Sequence, residues 1–177
     1  MSTVTHDDVI EILDQVYENL SDQNKWTQRA FRRNDEDGES FCVIGHVANV
    51  VGNRWEYLVS DGEWAFVNNA KTQLIADMLN CISDGWLTHY PQDALNLVVT
   101  YRQYDKIDND PDDRYFPNCD LYGTTTIMSI NDKHEDDDYD TYSTILDFVD
   151  TARRSVRDGV FDDLINVYND QMLQAFI

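Results

Sequence analysis

The sequence predicts a mainly α fold, a single-domain, bundle-like arrangement of about five to six helices over residues 1–177, with one small β-hairpin at about 54–67. Three observations lead there. Apolar residues recur every three or four positions through most of the chain. Two-residue alternation is confined to one short stretch. An apolar content of 42%, with 12% aromatics, is enough to bury a core, and no shift in composition marks a linker.

Thr5 precedes HDDVIEILDQVYENL and has Asp8 three residues on, a variant of the capping box, and Val9, Leu13, Val16 and Leu20 repeat at helical spacing. This predicts the first helix. Residues 40–51, SFCVIGHVANVV, are apolar nearly all round and read as a buried helix, although their length alone does not separate helix from strand; Gly52 supplies a stop. Trp55, Tyr57 and Val59 then alternate before Ser60-Asp61-Gly62, with Trp64 and Phe66 beyond, which is a hairpin pattern.

From Asn68 to Ser83, Ala70, Leu74, Met78 and Cys81 or Ile82 mark another helix, with Asp84-Gly85 as its stop. A helix from Pro91 to about Gln103 uses proline where the missing N–H is harmless, and turns Ala94, Leu97, Val98 and Tyr101 inward. Residues 105–119 hold two of the three prolines and no helical period, which predicts a long acidic loop at about 105–120. After an apolar patch at Thr126–Ile130, a helix is expected from about Tyr139 to Arg157 with Tyr142, Ile145, Val149, Ala152 and Val156 on one face. Gly159 ends it, and Phe161 to Phe176 forms the last amphipathic helix.

Charge narrows the function. There are 34 Asp and Glu against 13 Lys and Arg, a net of -21. Asp supplies 27 of the acids, and its short side chain fixes charge near the backbone, at caps and turns, where Glu would be the usual decoration of helices. Such a field opposes compaction and repels nucleic acid and anionic membranes alike. The start of the chain has no basic leader, and no apolar run approaches the length of a membrane span, so a cytoplasmic setting is expected. Cys42, Cys81 and Cys119 show no metal-knuckle or disulfide spacing and read as reduced thiols.

The densest acidity lies between 105 and 140, twelve acids against Lys106, Arg114 and Lys133. Duplex DNA carries one charge per ~1.7 Å of axis, so a face ~40 Å long would match roughly 24 phosphates. Asp108, Asp110, Asp112, Asp113, Glu135, Asp136, Asp137, Asp138 and Asp140 are therefore the candidate partner-binding residues, imitating phosphates toward the basic surface of a host DNA- or RNA-binding protein. A solvated face that serves solubility alone is the competing reading. A salt-adapted composition is a third, less in keeping with 14 Asn and many large aromatics.

Other constellations are weaker. Asp108-x-Asp110-x-Asp112 begins like a calcium loop, but Asp113 stands at the glycine position and Cys119 at that of the bidentate Glu. His134, Glu135 and Asp136 are adjacent and read better as a helix-start charge cluster than as a metal site. Cys42 and His46, four apart, would share a helix face as a nucleophile pair or half a zinc site, yet their apolar setting suits an inert thiol. No hydrolase, phosphate-loop or dinucleotide motif is present, so no catalytic residue, metal or cofactor is assigned. Trp26, Trp55, Trp64 and Trp86 read as core before interface, and tyrosines near acids (Tyr104, Tyr115, Tyr139, Tyr142) are compatible with a surface that meets arginines.

Trp26-Thr27-Gln28-Arg29-Ala30, Cys42-Val43-Ile44-Gly45 and Ser129-Ile130-Asn131-Asp132 resemble, in that order, the W-x-Q-G-A, C-x-x-G-A and W-N-D motifs of an uncharacterised family of small phage and actinobacterial proteins. The resemblance covers about residues 8 to 155, with 54–66 and 105–120 as insertions. Arg29 stands where that pattern has Gly, His46 where it has Ala, and Ile130 where it has Trp. What the resemblance implies is a mostly helical fold and a phage context, with no activity to carry over. The expectation is a non-enzymatic inhibitor, a nucleic-acid mimic that blocks a defence nuclease, restriction enzyme, CRISPR effector or RNA polymerase. A small carboxylate- or metal-dependent hydrolase and a plain acidic interaction domain are the alternatives, and a homodimer remains open.

Overall fold

In the computed structural model the described residues are 3–88, 91–104, 127–135 and 140–174. They form seven α-helices, α1 (His6–Leu20), α2 (Val43–Val51), α3 (Ala70–Thr88), α4 (Pro91–Tyr104), α5 (Ile127–Asn131), α6 (Thr141–Arg157) and α7 (Asp162–Gln174). Two antiparallel hairpins, β1 (Arg32–Asp35) with β2 (Gly38–Phe41) and β3 (Trp55–Leu58) with β4 (Glu63–Phe66), sit between helices. The fold is thus mainly α with small hairpins, with one helix and one hairpin more than expected.

The first helix starts as its cap dictates. Thr5 is extended, its hydroxyl accepts from the Asp8 N–H, and the Asp8 carboxylate accepts from the Thr5 N–H at 2.8 Å. The bond from the Thr5 N–H and, after it, one from the Thr5 hydroxyl at 2.8 Å hold the Asp8 carboxyl below its usual range. Val9, Leu13, Val16 and Leu20 are all fully buried. Burying each contributes about 1.5–3 kcal/mol against about 1 kcal/mol for the cap, so packing decides that this helix forms. It lies along α6, which presents Ile145, Phe148, Val149, Ala152 and Val156, and against α2.

The segment 40–51 divides where the sequence read one helix. Gly38–Phe41 pairs with β1, and the helix begins at Val43 because Cys42 is extended and caps it, its Sγ accepting from the Gly45 N–H. Gly45 admits the neighbouring chain: an added Cβ would lie 2.0 Å from the Phe31 carbonyl oxygen. The expected 54–67 hairpin is present with Trp55 opposite Phe66 and Tyr57 opposite Trp64. The helix beginning at Ala70 does not stop at Asp84-Gly85; it continues to Thr88, since one helical glycine costs only about 1 kcal/mol.

A buried polar knot joins α3, α4 and α7. Arg102 donates to Asp77 through Nε (2.8 Å) and Nη2 (3.1 Å), and Gln73 and the Tyr168 hydroxyl also donate to the Asp77 carboxylate. Among the described residues Asp77 is the one fully buried acid. No helix among them is long and apolar enough to cross a membrane.

Candidate functional site

Of the nine carboxylates expected to meet a partner, Asp108, Asp110, Asp112, Asp113, Asp136, Asp137 and Asp138 lie outside the described residues, as does the acidic loop at 105–120. Glu135 and Asp140 are exposed and both serve the start of α6. Asp140 is its N-cap, accepting from the Ser143 N–H at 2.9 Å and hydroxyl at 2.8 Å, which holds its carboxyl below the usual range. Glu135 accepts from the Tyr142 N–H at 3.1 Å. Helix-start chemistry, read from the sequence for the 134–136 cluster, is what the described members of the tract perform.

A second acidic surface escaped the sequence reading. Asp7, Glu11, Asp14 and Glu18, at i, i+4, i+7 and i+11, form one outward stripe on α1 and line a shallow groove with Ile10 and Gln15. Asp14 is bound by Arg157 (3.1 Å) and Arg153 (3.5 Å), and Arg153 and Arg154 also bind Asp150. Among the described residues Asp7, Glu11 and Glu18 have no ion-pair partner. Asp35, Glu36 and Asp37 add an exposed acidic tip to the first hairpin.

The residues of the three short motifs converge on Asn131. Its Oδ1 accepts from Trp26 Nε1 (2.9 Å) and the Val43 N–H (3.2 Å), and its Nδ2 donates to the Thr27 carbonyl (3.1 Å). Gln28 Nε2 donates to the carbonyls of Asn131 and Lys133, and the Arg29 N–H donates to Asp132 Oδ1 at 2.7 Å. Asn131 therefore ends α5 inside a web that fixes the 26–31 segment and the start of α2. Arg29 has φ 61, the left-handed region, at the position where the resembling pattern has glycine. Beside it a small crevice of about 120 Å³ is bounded by Arg29, Phe31, Cys42, Glu63, Met128 and Asp132. Asn131 and Asp132 close the end of α5 onto the distant 26–31 segment.

Cys42 and His46 do not form a pair. The Cys42 sulfur caps α2, and His46 Nε2 is 2.8 Å from the Lys25 carbonyl, which requires the proton on Nε2. His46 Nδ1 is then a buried acceptor with no partner, and the ring rests 5.2 Å from Phe41. Burial pushes its pKa down to about 4, so it is neutral. Among the described residues no group of three or more His, Cys, Asp or Glu is placed to hold a metal ion.

The aromatics divide between core and surface. Trp26 meets Tyr142 at 5.5 Å, and the Tyr142 hydroxyl donates to the Leu20 carbonyl. Trp55 and Trp64 flank Arg32, whose guanidinium carbon is 4.2 Å from the Trp64 ring centre and 5.6 Å from that of Trp55, with Glu39 at 3.0 Å. Neither Arg32 nor the Asp77–Arg102 pair was foreseen. An Asp one turn beyond Leu74, with Gln73 four positions before it on the same helix face, was the available signal for the latter. Comparison of the chain with protein families, curated proteins and solved structures finds no match.

Proposed function

We propose that the protein is a non-enzymatic, phage-type inhibitor that presents fixed carboxylates to the basic cleft of a host DNA- or RNA-binding protein, in place of nucleic acid. The observation that carries this is the stripe on α1. From residue 7 to residue 18 the helix rises about 16 Å and its stripe bears four carboxylates, where one strand of DNA bears about five phosphates over the same length. The opposite face of that helix is fully buried, so the charges stand on a rigid support and little order is lost when they meet a partner. Asp14 is partly offset by arginines, leaving Asp7, Glu11 and Glu18 as the outward-acting members. The tract of Asp108, Asp110, Asp112, Asp113, Glu135, Asp136, Asp137, Asp138 and Asp140 extends the same chemistry, and the net of -21 makes direct contact with nucleic acid unfavourable.

The test uses purified restriction endonuclease, CRISPR effector and RNA polymerase, each assayed on duplex DNA with increasing inhibitor. Inhibition of at least one is expected, weakening by tenfold or more between about 50 and 200 mM salt and relieved by excess duplex. A variant with Asp7, Glu11, Glu18 and the nine tract acids changed to Asn or Gln should lose it. An amide variant that inhibits as well as the parent, or inhibition indifferent to salt, overturns the proposal.

A further inference from the structure

The two hairpins place an arginine against an aromatic face that continues past it into solvent. On β3–β4 the side chains of Trp55, Tyr57, Trp64 and Phe66 share one face, because Trp55 pairs with Phe66 and Tyr57 with Trp64. Phe66 is buried at the inner end, and Arg32 covers the middle by its contacts with Trp64 and Trp55. The outer end is open: Tyr57 is 51% exposed and Val59 at the turn is 84% exposed, two of the three exposed large apolar residues among those described. The Tyr57 and Trp64 rings are 5.3 Å apart and steeply inclined to each other, and Tyr57 keeps about half of its surface open to solvent. Asp61, in the connecting turn, is also exposed.

We propose that this outer end of β3–β4, Tyr57 with Trp64 and Val59, seats an arginine side chain of a basic partner protein. Arg32 shows the chemistry, since its guanidinium already lies over the adjoining tryptophan rings with a carboxylate, Glu39, 3.0 Å away. Tyr57, with Asp61 in the adjoining turn, offers an exposed aromatic ring and a carboxylate one step outward. A planar guanidinium gains from both stacking and carboxylate contact, whereas a lysine ammonium is a hydrated point charge that gains less from the ring. The inference rests on the proposed binding of a basic protein and adds a preference that charge alone does not supply.

Nona-arginine and nona-lysine peptides, titrated against the full chain with tryptophan fluorescence and calorimetry, separate the two. Nona-arginine should bind about two- to fivefold more tightly, the range expected of an exposed cation–π contact. Tyr57→Ala should abolish that preference and leave nona-lysine affinity unchanged, Tyr57→Phe should keep it, and circular dichroism verifies that each variant is folded. Equal affinity for the two peptides, or equal loss of both in Tyr57→Ala, overturns the arginine seat while the acidic decoy stands. Failure of either peptide to bind at low salt overturns the decoy and the seat together.

Discussion

Trp26 and Asn131, 105 positions apart in the chain, are joined by a 2.9 Å hydrogen bond from the indole N–H to the side-chain oxygen, and the same oxygen holds the Val43 N–H. Asn131 thereby satisfies donors from two segments while donating back to the first, at the Thr27 carbonyl. Only an amide does this, since a carboxylate could accept but not donate to the Thr27 carbonyl.

Asn131→Ala strands the Trp26 N–H, the Val43 N–H and the Thr27 carbonyl in a site that is only 1% exposed. Each abandoned group costs about 1–3 kcal/mol, and with partial relaxation the expected loss of stability is about 3–4 kcal/mol. Asn131→Asp should cost nearly as much, because the remaining oxygen faces the Thr27 carbonyl. Urea unfolding measures both; a loss below about 1 kcal/mol for Asn131→Ala would show that the web holds without its centre.

Arg29 is the one non-glycine residue at positive φ among those described. A left-handed L-residue costs about 1–2 kcal/mol, and glycine returns about 0.5–1 kcal/mol of that through its looser unfolded chain. Arg29→Gly should therefore be neutral or stabilising by up to about 1 kcal/mol, and Arg29→Val, with a branched Cβ, clearly destabilising. Melting temperatures in the order Gly, Arg, Val are expected; Val equal to Gly would mean that the backbone there is free to relax.

The helices were legible because their physics is local. The spacing of Val9, Leu13, Val16 and Leu20 marks a face, and Thr5 with Asp8 marks its start. The Trp55–Phe66 hairpin was legible for the same reason, alternation around Ser60-Asp61-Gly62. What stayed hidden depends on partners remote in the chain. Ser40 and Phe41 look like the first turn of an apolar helix until Arg33 and Arg32 pair with them. The Asn131 web and the Arg32 stack need segments tens of residues apart. The acidic stripe on α1 was written in the i, i+4, i+7, i+11 spacing, but the richer run at 105–140 drew the assignment away from it.

Asp77 and Arg102 make the strongest test of packing between α3 and α4. The buried Asp77 carboxylate accepts from Arg102, Gln73 and Tyr168 together, so Asp77→Ala, which removes that shared acceptor, should cost about 3–5 kcal/mol. Asp77→Leu with Arg102→Met replaces both by apolar groups of similar bulk and should cost far less than the two single changes together. Chemical denaturation of the four species closes the cycle, and strict additivity would mean that the pair is not coupled.

His46 sets the pH dependence in a window of its own. Its folded pKa, about 4, lies below the ordinary 6.5 because the buried ring must shed its proton and Nδ1 has nothing to bind one against. Between those values the unfolded chain holds a proton that the folded chain does not, so stability rises with pH there. It is fully present above pH 6.5 and declines as pH falls toward 4. At ~1.36 kcal/mol per unit the loss across the window is about 3 kcal/mol. The lowered carboxyls of Asp8 and Asp140 act in the same sense but only near and below their usual range, under about pH 4, and so do not account for a loss between 6 and 5. His46→Phe, which keeps a ring against Phe41 and carries no proton, should flatten the profile from pH 6.5 to 4.5. It also strands the Lys25 carbonyl and so lowers the plateau by about 1–3 kcal/mol. Urea midpoints taken every half unit of pH distinguish the two effects: a parent profile already flat across that window would mean that the ring reaches water and is protonated in the folded protein.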